Sequence, residues 1–242
     1  MNIELLPTLQ VQRELYAMPR GLDRFWKYVE TLTGGTDDIA VPIVAMNPMG
    51  KEHSLVKIDE LIAIDAERVA TEAIAPTLGI ADGIAWKLAL VLVDDLMGGW
   101  TNRHANEFAY RTKPKAQLLR RPFIVVPMWT SETWDEARVR EATLIEIYRT
   151  AHIVQHGDAK TLRELLAQEG EAMAHAGTTQ WLDADDLDYT REVIAPHLNA
   201  TDQPTLLTCL LGDEAANALG YSPMGLSKRA GLALALREAH PV

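Results

Sequence analysis

Residues 88–93 (Leu-Ala-Leu-Val-Leu-Val) form the longest uninterrupted apolar run in the chain, bounded by Lys87 on one side and by Asp94-Asp95 on the other. Six residues are far too few to cross a bilayer. A short apolar run closed by charges at both ends fits a strand covered on both faces, so the chain needs other elements to cover it. That requirement governs the reading of everything around it.

Two further segments read as strands. Residues 39–46 carry Ile39, Val41, Ile43 and Val44 but also Pro42, which places them at a sheet edge. Residues 122–129 (Pro-Phe-Ile-Val-Val-Pro-Met-Trp) supply the third. The remaining text is helical. Short helices are expected over 8–17 and 21–33, separated by Pro19-Arg20-Gly21 and ended by Gly34-Gly35. A long amphipathic helix is expected over 52–75, stopped by Pro76 and Gly79. Thr133 and Glu136 match a capping box opening a helix over 134–156, which Gly157 closes. A helix over 160–175 then completes an αα-hairpin turning at Gly157-Asp158. Acids at 183–188 start another helix, and 204–219 and 225–236 are apolar and helical. The expected fold is therefore predominantly helical α+β, with a small sheet of about three strands in the first half and a helical C-terminal half. No Gly/Ser-rich linker divides it, so residues 1–242 are read as one domain, with a weak subdivision near 130.

Charge narrows the partners. The net charge is −11, and it is unevenly spread: residues 1–121 hold 14 Lys+Arg against 16 Asp+Glu, the rest 9 against 18. Such a chain is poorly suited to grip a nucleic-acid backbone or an anionic membrane surface. The run from Arg111 to Arg121 is a local exception, holding Arg111, Lys113, Lys115, Arg120 and Arg121 without an acid, and it reads as a solvated connector into a strand. The single cysteine, Cys209, sits in apolar text and reads as a buried small hydrophobe; with no disulfide and no signal-like N-terminus, a reducing, cytoplasmic setting is expected.

Several common chemistries leave no trace. The chain has no His-Glu-x-x-His, no Glu-x-x-His, no cysteine pair, no Gly-x-Gly-x-x-Gly and no Gly-x-Ser-x-Gly. Residues 45–52 (Ala-Met-Asn-Pro-Met-Gly-Lys-Glu) have the Gly-Lys of a phosphate loop, but Ala45 stands where its first glycine belongs and Glu52 where its Ser/Thr belongs.

Two constellations carry chemistry. The first follows the buried strand: Asp94 and Asp95, a diglycine, then Asn102, Arg103 and His104. In open α/β sheets ligands bind beyond the carboxyl ends of the strands. The other expected strands also end in polar text, with Asn47, Lys51 and His53 after one and Thr130, Ser131 and Glu132 after the other. If the strands are parallel these groups converge. Asp94 or Asp95 would then serve as general base or metal ligand, Arg103 would hold an anionic group and His104 would shuttle a proton. Asn47, Lys51 and Ser131 would bind substrate, and Trp100, Trp129 and Trp134 would line the pocket. The second constellation is His152 and His156, four apart on one helix face, able to hold a divalent transition metal if a third ligand comes from elsewhere. The hairpin register puts His152 beside Glu164 and His175 beside Glu141.

No motif is diagnostic, and the function stays unknown at this level. The leading expectation is an enzyme acting on a small polar or anionic molecule at the strand ends, metal-assisted or not. The rival is a non-catalytic binding or assembly protein, a homo-oligomer among the options, whose apolar segments 206–211 and 232–236 dock a partner or a second copy.

Overall fold

The computed structural model describes residues 1–75, 83–96 and 101–239. Three strands, β1 (Asn2–Leu6), β2 (Ala85–Val93) and β3 (Phe123–Trp129), form one sheet in the order β1-β2-β3, and both pairings are parallel. The apolar run is the centre of it: Leu88 to Val93 have no exposed surface. Pro127, which lacks an N–H for the ladder, is tolerated because β3 is an edge strand.

One expected strand is displaced. Residues 39–46 are turns and irregular backbone, and the edge strand is instead Asn2–Leu6, immediately before Pro7. Backbone hydrogen bonds in 39–46 are local, such as Ile43 N to Val41 O and Met46 N to Ile43 O, and its apolar residues serve the core individually, with Ile43 and Met46 fully buried.

The chain divides into two compact units, one formed by Met1–Asn102 with Arg121–Glu146 and the other by Arg103–Arg120 with Ile147–Val242. The expected subdivision near residue 130 falls inside the first unit.

In the first unit the sheet is joined by α1 (Thr8–Ala17), α2 (Leu22–Thr33), α3 (Glu52–Ala63) and α4 (Ala66–Ile74). The long helix expected over 52–75 is thus two helices. The break is at Asp65, whose backbone is left-handed (φ 53°), a conformation that ends a helix and that Asp tolerates better than most residues. Helix α1 packs on β2 and α3. It also completes the ladder. β1 pairs with β2 only as far as Ala89, so beyond that point β2 needs other partners on this side. Gln12, fully buried, supplies them: its side-chain nitrogen donates to Leu90 O at 2.9 Å and its oxygen accepts from Leu92 N at 2.8 Å. The Thr8 hydroxyl donates to Leu90 O as well, at 2.7 Å. A single glutamine does the work of one more strand residue, leaving no buried backbone group orphaned there.

The second unit is all-helical: α5 (Arg103–Arg111), α6 (Lys115–Arg120), the C-terminal part of α7 (Glu136–His156), α8 (Leu162–Ala176), α9 (Ala184–Ile194), α10 (Gln203–Leu211), α11 (Asp213–Ala218) and α12 (Ala230–Ala239). Helix α12 is its axis, buried from Ala230 to Leu236 and packed on α8, α9 and α10. Glycines permit that closeness: a Cβ on Gly170 would lie 2.3 Å from Ala235 O. The segments 206–211 and 232–236, which favoured assembly at the level of sequence, are buried here within the chain's own core. Cys209 is buried as expected, and burial pushes its thiol up to about 12.

Helix starts differ from expectation in two places. Helix α7 begins at Glu136 and is capped by Asp135, whose Oδ1 accepts from Arg138 N at 2.8 Å; the capping box lies instead at Thr161 and Glu164, at the start of α8. The basic run 111–121 is not a solvated connector. It holds the end of α5 and all of α6; Arg111, half-buried, pairs with two buried glutamates, Lys115 Nζ donates to Val154 O, and Arg121, the first residue of the first unit's second segment, pairs with Asp38. Among the described residues no helix is long and apolar enough to cross a membrane.

Candidate active site at the carboxyl edge of the sheet

Because all three strands are parallel, their carboxyl ends lie along one edge, and β2 delivers Asp94 and Asp95 to it. The two carboxylates have different tasks. Asp95 fastens the neighbouring strand end: Oδ1 accepts from Ser131 N at 2.9 Å and from the Thr130 hydroxyl at 2.9 Å, and Oδ2 accepts from the Ser131 hydroxyl at 2.6 Å. Thr130 Oγ1 in turn accepts from Asp95 N. Asp94, only 4% exposed, lies 3.4 Å from the same Thr130 hydroxyl through its Oδ1 but takes its closer partners elsewhere. Its Oδ1 lies 2.8 Å from His53 Nε2 and accepts from Leu96 N at 3.3 Å, while its Oδ2 accepts from Asn47 Nδ2 at 3.2 Å.

His53 stands in the first turn of α3, and its side chain is 25% exposed. The carboxylate fixes its tautomer. A neutral imidazole bonded to Asp94 through Nε2–H keeps the Nδ1 lone pair for another partner. Beside it, the Ser54 hydroxyl lies 3.4 Å from His53 Nε2. Tyr16 lies behind. Burial, and then the charge of Asp94, raise its phenol well above the ordinary tyrosine value, so it persists as a neutral donor.

The loop that brings Asn47 and His53 to this edge is held by a buried arginine. Arg24 Nη1 donates to Gly50 O at 2.8 Å and to Pro48 O at 3.3 Å, Nη2 donates to Tyr16 O at 2.6 Å and to Met18 O at 2.7 Å, and Nε donates to Met18 O. Four carbonyls around one guanidinium clamp the turn between α1 and α2 to the turn before α3. Gly50 is needed in this clamp, since a Cβ there would lie 2.6 Å from Ser54 Oγ and 2.8 Å from Tyr16 Cε1.

The sequence-derived candidates therefore separate. Asp94 and Asn47 come together, and so do Asp95 and Ser131. Lys51 is exposed just before α3, and Asn102 is exposed at the end of a stretch of the first unit. Arg103 and His104 belong to the second unit, on α5, where Arg103 Nε pairs with Glu107 at 3.2 Å and burial lowers the His104 imidazole. Trp129 is buried, and its carbonyl accepts from Trp134 Nε1; Trp100 and the diglycine lie outside the described residues. Two residues that hold this arrangement together stood apart from the candidate site residues: His53 was among the polar groups expected to converge at the strand ends but had no chemical role, and Arg24 was not singled out. His53 stood in the polar text after 39–46, and its link to Asp94 spans 41 positions. Arg24 left no signal, being one more cation in an amphipathic helix.

The second unit holds the other buried charges. Glu169, fully buried, is bidentate with Arg149 at 2.7 and 2.9 Å and pairs with Arg111 at 3.1 Å. Glu107 meets Arg111 at 3.1 Å, Arg103 at 3.2 Å and Arg229 at 2.9 Å. Burial alone would push the Glu107 carboxyl up, but Arg111, Arg229 and Arg103 together outweigh it and hold it at about 2.

The histidine pair lies at the end of α7. His152 and His156 have ring centroids 4.5 Å apart, but the partner across the hairpin is not Glu164. His152 Nδ1 lies 2.8 Å from Glu171 Oε2, and Tyr148 stacks on His175. The connector extends to Thr161, so the register is shifted by two turns of α8 from one that pivots at Gly157-Asp158, and Glu164 is used in the capping box instead.

No protein-family model, curated protein or solved structure matches the chain.

Proposed function

We propose that the chain is an enzyme that moves a proton to or from a small polar substrate at the carboxyl edge of its sheet, with His53 as the acid–base group and Asp94 as the residue that orients it. The observation that carries this is the 2.8 Å contact between His53 Nε2 and a carboxylate that is itself buried and held by Asn47 and Leu96. A carboxylate so placed keeps the imidazole in one tautomer and stabilises the imidazolium that forms when Nδ1 takes a proton. The ring is partly exposed, and on this proposal Nδ1 is the atom that meets the substrate. Asn47, Thr130 and Asp95 position the dyad, and Ser54 and Tyr16 supply neutral hydroxyls beside it. Ser131 and Lys51, exposed along the same loops, are the groups for substrate contact.

Two measurements test this. In ¹⁵N-resolved spectra of neutral His53, the Nε2–H tautomer is expected; the Nδ1–H tautomer would remove the base. Turnover is then measured with p-nitrophenyl acetate and p-nitrophenyl phosphate as probes. His53→Ala and Asp94→Asn should each lose roughly 10²–10⁴-fold in kcat/KM while remaining folded. Unchanged turnover in His53→Ala would overturn the assignment.

A second reading has its own observation. Asp94 ties the entry of α3 to the sheet through Asn47 and His53, an anchor that a non-catalytic binding protein would also use. In that case Asp94→Asn lowers the melting temperature and the tautomer is the same, but no probe is turned over by the wild type.

A further inference from the structure

Helix α7 ends with two imidazoles on one face, and the neighbouring helix α8 brings a carboxylate to them. His152, His156 and Glu171 each offer a ligand atom, and these atoms lie within 4.8 Å of one another. We propose that they form a site for a divalent transition metal of the zinc class, independent of the dyad in the first unit.

The chemistry of the donor set selects the ion. Two imidazole nitrogens and one carboxylate oxygen, without a thiolate, suit zinc and its neighbours rather than calcium or magnesium, which take oxygen ligands. In a tetrahedral site with bonds of about 2.0–2.2 Å, ligand atoms stand roughly 3.3–3.5 Å apart, so small rotations of exposed side chains close the set. His156 and Glu171 are exposed and His152 is half-buried, which leaves a route for the ion and room for water in a fourth position.

The surroundings favour order in the ligands. Tyr148, one turn before His152, stacks on His175 at 4.8 Å, and His175 Nδ1 lies 2.9 Å from Glu171 O. The two helices are thus held together beside the site by Tyr148 and His175, as they are at the site by His152 and Glu171. A simple ion pair accounts for His152 and Glu171 alone. Helix spacing brings His156 within 4.5 Å of His152, so a second imidazole stands beside the pair and completes a three-ligand set. Glu171 and His175 also line a cavity of about 610 Å³ between α8, α9 and α12, whose walls include Arg163 and Arg191. An ion held by Glu171 would sit at the border of that cavity.

Full-length protein stripped with chelator is titrated with Zn²⁺ by calorimetry, and with Co²⁺ while its visible spectrum is recorded. One equivalent should bind, with the intense visible bands of tetrahedral Co²⁺. Because protons compete with the ion for the imidazole nitrogens, affinity should fall as the solution is made more acidic. His152→Ala, His156→Ala and Glu171→Gln should each weaken binding by at least roughly tenfold to a hundredfold, with melting curves recorded to show that they fold. His197→Ala, outside the set, should bind like wild type. Absence of a stoichiometric equivalent, or equal binding by His156→Ala and wild type, would overturn the site.

Discussion

Both units bury carboxylates, but they surround them differently. At the sheet edge Asp94 is met by an amide, a hydroxyl, a backbone N–H and one imidazole, partners that are neutral or can become so. In the helical unit Glu107 and Glu169 are met by Arg103, Arg111, Arg149 and Arg229, guanidiniums that do not give up their protons. The first arrangement is the one for which we propose proton exchange with a ligand. The second holds its charges where desolvation would be costly without mutual pairing. Glu107 lies far below its ordinary value because Arg111, Arg229 and Arg103 surround it.

The largest effect should come from breaking the guanidinium lattice. Glu169→Ala leaves Arg149 and Arg111 facing a buried gap and should destabilise the protein by about 3–5 kcal/mol, read from the denaturant midpoint. A loss below about 1 kcal/mol would mean that water enters and that the pairing is superficial.

Acid should separate the two regions next. Glu107 goes from an ordinary 4.5 in the unfolded chain to about 2 in the folded protein. Its folded value is depressed, so its stabilisation is fully present above the unfolded value and is lost as pH falls from about 5 towards 2, a loss of roughly 3 kcal/mol. Unfolding free energies of wild type and Glu107→Gln across that range should converge as pH falls. Parallel curves would place the acid-labile charge elsewhere.

A smaller loss tests the neutral side. Gln12→Leu removes the amide that serves Leu90 O and Leu92 N, and should destabilise by about 1–3 kcal/mol, with faster amide exchange at Leu92. The smallest effect belongs to the dyad: Asp94→Asn keeps the shape and one acceptor and should change stability by only about 1 kcal/mol. A loss as large as that of Glu169→Ala would make Asp94 a structural anchor of the same kind as the lattice.

Part of this was legible in the residues. An apolar run between charges announced a central strand, and its exit into Asp94-Asp95 announced the edge where polar groups gather. Asn47 was placed at that edge on the premise that 39–46 is a strand, and it arrives there by another route, because Arg24 clamps the 47–50 turn. Strand propensity in 39–46 was overruled by Pro42 and by competition from 2–6, which offers a ladder without a proline. His152 and His156 were legible as a pair from helix periodicity, but their carboxylate was not, since hairpin register depends on where the connector ends.

Local periodicity and the punctuation by Pro, Gly and capping residues are properties of neighbouring residues, and the sequence by itself determined these: a predominantly helical chain, a small sheet, a buried Cys209 and the polar exit of the central strand. Contacts between distant residues depend on how the elements pack. Only the tertiary structure decided that His53 faces Asp94, that Gln12 completes β2, that Glu171 meets His152, and that Arg103 and Arg111 are drawn into ion pairs with the buried Glu107 and Glu169. Each is a choice of partner across many positions, and for Gln12, Asp94 and Glu169 that choice is settled by burial, where an unpaired polar group costs more than any local preference supplies.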